Sequence, residues 1–146
     1  MGKINLQAKQ IVMLDTAPLI YYIENIDPYV TLLQELFDSI AVGRNPAVTS
    51  VIALIEVLTK PIRDKQTELI DRFRLYLTSS RNLELIAVTP EIGEQSAYLR
   101  AKYGLRTPDA IQVAVGIASG SQLLITHDNI FRKIREIDVL VLDDLL

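Results

Sequence analysis

The stretch R106-TPDAIQVAVGIASGSQLLITHD-128 carries the decisive reading of the chain. Thr107 can cap a helix, Pro108 suits its first turn, and apolar residues follow to Ala118. Gly116 and Gly120 form a G-x-x-x-G, which in such a chain means close packing and a helix end. "QLLIT" (122–126) is then a short apolar strand. A helix delivering the chain into a buried strand is half of a βαβ unit. Asp109 stands where the helix enters its apolar run, and Asp128 stands just past the strand.

The same alternation extends outward. "QIVML" (10–14) predicts a first strand ending at Asp15, and Pro18 opens a short helix, "PLIYYIE". A longer amphipathic helix, "PYVTLLQELFDSIAVG", follows and closes at Gly43. "AVTS" (47–50) is a second strand, with Ser50 capping "VIALIEVL". Pro61 is expected to break that helix. A charged helix with Leu69, Ile70, Phe73 and Leu77 on one stripe then runs from Ile62 to Ser80. "LELIAV" (83–88) is a third strand, and Thr89 and Pro90 start a helix that stops at Gly104. Downstream of the opening stretch come a short helix, "NIFRKIRE", and a fifth strand, "VLVL" (139–142). Strands alternating with helices predict right-handed crossovers and a mostly parallel five-stranded α/β sheet covered on both faces. Over 146 residues, this reads as a single domain, 1–146.

Composition narrows the chemistry. The chain has no cysteine, which excludes thiolate metal sites and disulfides. With His127 its one histidine, a zinc site is not expected, and any divalent metal would be a hard one held by oxygens. No apolar run is long enough to span a bilayer, and "MGKINLQAKQ" has no apolar core of a secretory signal, so the expectation is a cytoplasmic protein with no membrane association. The net charge of −3 neither advertises nor forbids a nucleic-acid partner.

In an open parallel sheet, ligands bind beyond the carboxyl ends of the strands. Asp15 and Asp128 follow the first and fourth strands, and Asp109 opens the helix that leads into the fourth. Glu56 is the sole charge in "SVIALIEVL". Each has a structural alternative: Asp15 and Asp128 as caps, Asp109 as a helix-dipole residue, Glu56 in a narrow solvent strip. Together they predict a shared acidic edge. Clustered carboxylates repel, and a bound cation such as Mg²⁺ or Mn²⁺ relieves the repulsion.

With these residues assembled, the chain resembles the PIN-domain nucleases, and most closely the small ribonucleases of the VapC toxin type. The resemblance runs through "VMLDTAPLIYYIE", "TSVIALIEVL", "RTPDAIQVAVGIASGSQLLITHDNIF" and "VLVLDD". Their order and strand–helix context carry it, since no one of them is specific. It implies a three-layer α/β/α sandwich and metal-dependent hydrolysis of RNA. Asp15 matches the acid after the first strand, and Glu56 the acid of the S-x₅-E pattern from Ser50. Asp109 matches the acid opening the penultimate core helix, and Asp128 the acid of the T-x-D pattern, with Thr126 as a supporting hydroxyl. Thr16, next to Asp15, is a second supporting hydroxyl or a local turn contact. The resemblance also implies Mg²⁺ or Mn²⁺ as cofactor, a small antitoxin protein as partner, and a homodimer. Three positions depart from the family pattern: Ala53 replaces a common Thr, "IQVA" replaces a common "IAA", and Ile130 stands where a further acid often occurs. One metal or two therefore stays open.

Other residues read more plainly. His127 is expected to alternate away from Thr126 and Asp128 and takes no catalytic role. Tyr21 and Tyr22 read as packing residues. Lys60, Arg63 and Lys65 are solvated charges or a guide for a phosphate backbone. An aspartyl-phosphate phosphatase would need an acid at position 17, where Ala17 stands, and no G-x-x-x-x-G-K-[ST] exists for a nucleotide hydrolase. The rival reading is a PIN-like binding or signalling module without turnover.

Overall fold

A computed structural model describes residues 2–146. The elements are β1 (Val12–Leu14), α1 (Thr16–Ile23), α2 (Tyr29–Ala41), β2 (Ala47–Ser50), α3 (Val51–Arg63), α4 (Thr67–Ser79), β3 (Leu83–Ile86), α5 (Pro90–Tyr103), α6 (Thr107–Ala118), β4 (Leu123–Thr126) and β5 (Asp138–Val141). Two short 3₁₀ turns, Asn129–Lys133 and Leu142–Leu145, complete the C-terminal part. The five strands pair in the order β3-β2-β1-β4-β5, all parallel.

Alternation along β1 builds the layers. Val12 and Leu14 face one side and pack with Leu19, Leu33, Phe37, Val57, Phe73 and Leu77 from α1 to α4. Met13 faces the other side with Ile92, Leu99, Val113, Leu124 and Phe131, beneath α5 and α6. The result is the α/β/α sandwich. Each fully buried Leu or Phe adds about 1.5–3 kcal/mol, so two separate apolar faces hold the sheet between them. Gly116 allows α6 to approach β1: a Cβ there would lie 3.1 Å from Ile137 Cδ1 and 3.3 Å from Met13. Gly120 (φ 72°) ends the same segment in the left-handed region, as the G-x-x-x-G reading expects.

Ser50 caps α3 by accepting from the Ile52 amide, Thr89 caps α5, and Gly104 closes α5 with φ 69°. Several expected boundaries move. The first helix starts at Thr16, two residues before Pro18, and α6 includes Thr107, whose predicted capping role falls to Arg106 without a side-chain bond. Pro61 does not break its helix. It lies buried in α3, which continues two residues past it to Arg63 at the cost of the one amide bond that proline cannot make. The Asp64 and Gln66 amides then reach the Lys60 and Pro61 carbonyls. The charged helix therefore begins at Thr67 rather than Ile62. "NIFRKIRE" forms only the 3₁₀ turn Asn129–Lys133.

The topology has one reversal that matters for the site. The chain steps outward from β1 to β2 to β3, then returns to place β4 on the other side of β1. Crevices form at such reversals, beyond the carboxyl ends of the strands.

Candidate functional site

A cleft of about 410 Å³ opens at that reversal. Asp15, Thr16, Ala17, Ile20, Glu56, Arg106, Asp109, His127, Asp128 and Asn129 line it, so all four singled-out carboxylates face one space. β1 delivers Asp15, β4 delivers Asp128, the sixth residue of α3 is Glu56, and the third of α6 is Asp109.

Asp15 sits deepest. Its Oδ2 accepts from Thr126 Oγ1 at 2.7 Å, and its Oδ1 accepts from Gln112 Nε2 at 3.1 Å. Crowding by protein atoms pushes its carboxyl above the ordinary value of 3.8. The bonds from Thr126 and Gln112 and the Thr16 backbone amide oppose that rise, and the Asp109 charge adds to it. Asp15 is therefore a carboxylate short of positive charge.

Each rim acid has a partner within the chain. Glu56 is exposed, in keeping with its solvent-strip alternative, and accepts from Thr16 Oγ1 at 2.8 Å. Thr16 thus ties the start of α1 to α3 instead of making a local turn contact. Asp109 is bound by Arg106, with Nε to Oδ2 at 3.0 Å and a second bond from the guanidinium to Oδ1 at 3.3 Å. Asp128 Oδ1 accepts from the Ile130 amide at 2.9 Å, the capping role its sequence position allowed. Its own amide donates to Thr126 Oγ1 at 3.0 Å.

The basic residue on the cleft wall is Arg106, not the Lys60–Lys65 group. Sequence reading passed over it, although R-T-P-D places a guanidinium three residues before an acid at a helix start. His127 also lines the cleft, contrary to the expected alternation, because β4 ends at Thr126. Its ring is held from behind. Tyr29 donates to Asp143 Oδ1 at 2.6 Å, so Nε2 of His127 donates to Asp143 Oδ2 at 3.1 Å and Nδ1 accepts from Tyr21. The Tyr21 and Tyr29 rings stack at 4.4 Å, while Tyr22 stacks on Phe37 as a packing residue. The bond to Asp143 pushes the Tyr29 hydroxyl up to about 12 and holds Asp143 below the usual carboxylate range.

The donor set suits a hard divalent cation, since it consists of carboxylate and hydroxyl oxygens around an under-compensated Asp15. Among the described residues, no three His, Cys, Asp or Glu side chains converge on one point where an ion would sit. Thr16, Arg106 and the turn after β4 hold Glu56, Asp109 and Asp128 at the rim. Also among the described residues, no helix is long and apolar enough to cross a membrane.

Comparisons with solved structures find the same fold. VapBC2 from Rickettsia felis, solved bound to a DNA fragment from its promoter, is 21% identical with a TM-score of 0.70, over 90% of this chain and 98% of that one. A toxin–antitoxin complex from Klebsiella pneumoniae is 24% identical with a TM-score of 0.67, over 92% and 98%. VapBC-5 from Mycobacterium tuberculosis is 19% identical with a TM-score of 0.59, over 92% and 98%. No curated protein sequence matches. The family model of the PIN domain matches residues 12–137, which span β1 to β4, the cleft and all four acids, and the chain belongs to the PIN-domain family.

Proposed function

We propose that the protein is a metal-dependent endoribonuclease and the toxin of a toxin–antitoxin pair. The observation that carries this reading is the convergence of Asp15, Glu56, Asp109 and Asp128 on one cleft at the sheet's reversal point. Asp15, Glu56, Asp109 and Asp128 would hold Mg²⁺ or Mn²⁺. Such an ion would supply Lewis acidity toward water and the scissile phosphate.

The chain's own residues prepare the cleft for that chemistry. Thr126 donates to one oxygen of Asp15 and so orients the deepest of the four acids. Thr16 keeps Glu56 at the wall. Arg106, 73% exposed, offers the mouth of the cleft a cation that a phosphate backbone can meet. The Tyr21–Tyr29–Asp143 cradle keeps the His127 ring oriented at the cleft's edge.

The solved neighbours are toxin–antitoxin proteins, which supports an antitoxin protein as partner, acting in the cytoplasm. A homodimer, which the family resemblance implies, belongs to the same proposal. The second reading, a PIN-like module without turnover, draws on the internal partners of the rim acids. One experiment separates the two. Chelator-treated protein is incubated with a structured RNA pool, with and without Mn²⁺, for wild type and Asp15→Asn. Mn²⁺-dependent cleavage leaving 5′-phosphates, lost in the variant, supports the nuclease. Absent cleavage by folded wild type supports the module, and metal-independent cleavage overturns the metal-dependent reading.

A further inference from the structure

Gln112 is the buried polar residue that the nuclease reading leaves without a purpose. It stands in "IQVA", the run that departs from the family's common "IAA". It is 1% exposed in the apolar centre of α6, between Val113 and the Asp109 turn. An amide in such a place is costly unless both ends are satisfied. Both ends are. Its Oε1 accepts from Ser50 Oγ, and its Nε2 donates to Asp15 Oδ1.

The direction of these bonds is set by the backbone. Ser50 Oγ accepts from the Ile52 amide at the start of α3, so its proton is free for Gln112 Oε1. That choice turns the Gln112 NH₂ toward Asp15; the flipped amide would face oxygen against carboxylate. Thr126 is fixed in the same way. It accepts from the Asp128 amide, and its proton points to Asp15 Oδ2. Ser50 and Thr126 are each 0% exposed, and no buried side-chain polar atom lacks a partner among the described residues. Asp15 therefore receives two donors whose polarity is dictated by two helix or turn amides, one on each side of β1.

We infer that Gln112 is a positioning residue: it locks the Asp15 carboxylate in its cleft-facing orientation and couples that orientation to the N-terminus of α3, the helix that carries Glu56. The inference rests on the nuclease reading of the cleft. Groups that orient a ligating side chain weaken metal binding about 10- to 100-fold when removed. A residue that merely fills the core changes stability and leaves metal affinity alone.

The test uses Gln112→Met, which keeps length and removes both bonds, together with Ser50→Ala and the double variant. Mn²⁺ affinity is measured by calorimetry, and folding by circular dichroism and melting temperature. Gln112→Met is expected to bind Mn²⁺ about 10- to 100-fold more weakly while remaining folded. Ser50→Ala, which frees the amide to turn, is expected to lose affinity too, and the double variant to bind no more weakly than Gln112→Met. Melting temperatures, by contrast, fall further in the double variant, because Ser50 also caps α3. Wild-type affinity in a folded Gln112→Met that melts lower overturns the role and leaves the nuclease reading standing. Folded wild type that binds no Mn²⁺ overturns both. If Gln112→Met does not fold, Ser50→Ala decides: weakened binding supports the coupling, and unchanged binding overturns it.

Discussion

The two ends of the parallel sheet use the same kinds of side chain for opposite purposes. At the amino ends of the strands, neutral amides close the backbone. Asn45, fully buried before β2, donates to the Gln7 and Gln10 carbonyls and accepts from Ser39 and Arg44. Gln122 before β4 accepts from the Ile11 amide, and Asn82 before β3 donates to the Ala41 carbonyl. At the carboxyl ends, the hydroxyls and amides of Thr126, Gln112 and Thr16 converge on carboxylates. One end ties chain to chain. The other orients charge without neutralising it, and Asp15 is left with a raised carboxyl because burial outweighs its three donors. A fold that wanted only stability would not crowd four acids there.

The comparison breaks most visibly if substitutions at the two ends behave alike. Asp109→Asn is expected to lower Mn²⁺-dependent RNA cleavage by about 10³-fold, as removal of a ligand charge should. In chelator its melting temperature should stay near wild type. The lost Arg106 pair is screened on its guanidinium side and adds little, and the loss of repulsion with Asp15 offsets it. Asn45→Ala should do the reverse. It empties a fully buried polar position and removes a donor from each of the Gln7 and Gln10 carbonyls, costing about 1–3 kcal/mol, while the folded fraction cleaves at the wild-type rate. Equal activity losses in the two variants would erase the distinction between the ends.

Acid titration sharpens the same contrast. A carboxyl raised above its unfolded value contributes stability below that unfolded value and loses it as pH rises through the folded one. Metal-free protein should therefore lose stability as pH climbs above the ordinary aspartate value of 3.8, through the raised Asp15 range. Asp15→Asn should lack that part of the slope. The amide cannot accept from both Thr126 and Gln112, so its curve is flatter but not uniformly higher. Melting temperatures in chelator across about pH 4–8 read this directly. Identical slopes for the two proteins would mean Asp15 carries no unfavourable charge.

Much of this contrast could be read in the residues themselves. Ser50, Thr89, Gly104 and Gly120 announced their element ends, because capping and left-handed turns are local chemistry. The mostly parallel character of the sheet followed from the alternation of short apolar runs with helices, while the strand order β3-β2-β1-β4-β5 did not. The four acids line one cleft because Asp15 and Asp128 follow strands, and Glu56 and Asp109 lie in the N-terminal halves of helices, that the topology brings to one crevice. What escaped the sequence depended on neighbours distant along the chain. Pro61 reads as a breaker, yet α3 continues two residues past it. His127 reads as pointing away only while the strand is assumed to continue. The Ser50–Gln112–Asp15 chain joins residues 62 and 97 positions apart, and no local pattern encodes it.

Arg106 gives the smallest effect and the finest distinction, because among the described residues it is the arginine or lysine on a wall of acids. Its guanidinium binds Asp109 through two nitrogens but is largely exposed, so the pair adds little to folding. The Asp109 carboxylate in turn holds the guanidinium's pKa above its ordinary value. If Arg106 is the counter-ion that Asp109 has until a metal arrives, Arg106→Gln should leave the melting temperature near wild type. It should also strengthen Mn²⁺ binding by about fivefold or less, the weight of one unit charge a few ångströms away in a well-solvated site. RNA binding should weaken, with KM rising more than kcat falls. If Arg106 instead holds Asp109 in the geometry the metal needs, Mn²⁺ binding should weaken in the same variant. Calorimetry with Mn²⁺ decides by sign alone, and the first sign is expected, since a cation beside a ligating carboxylate competes for it before it can help place it.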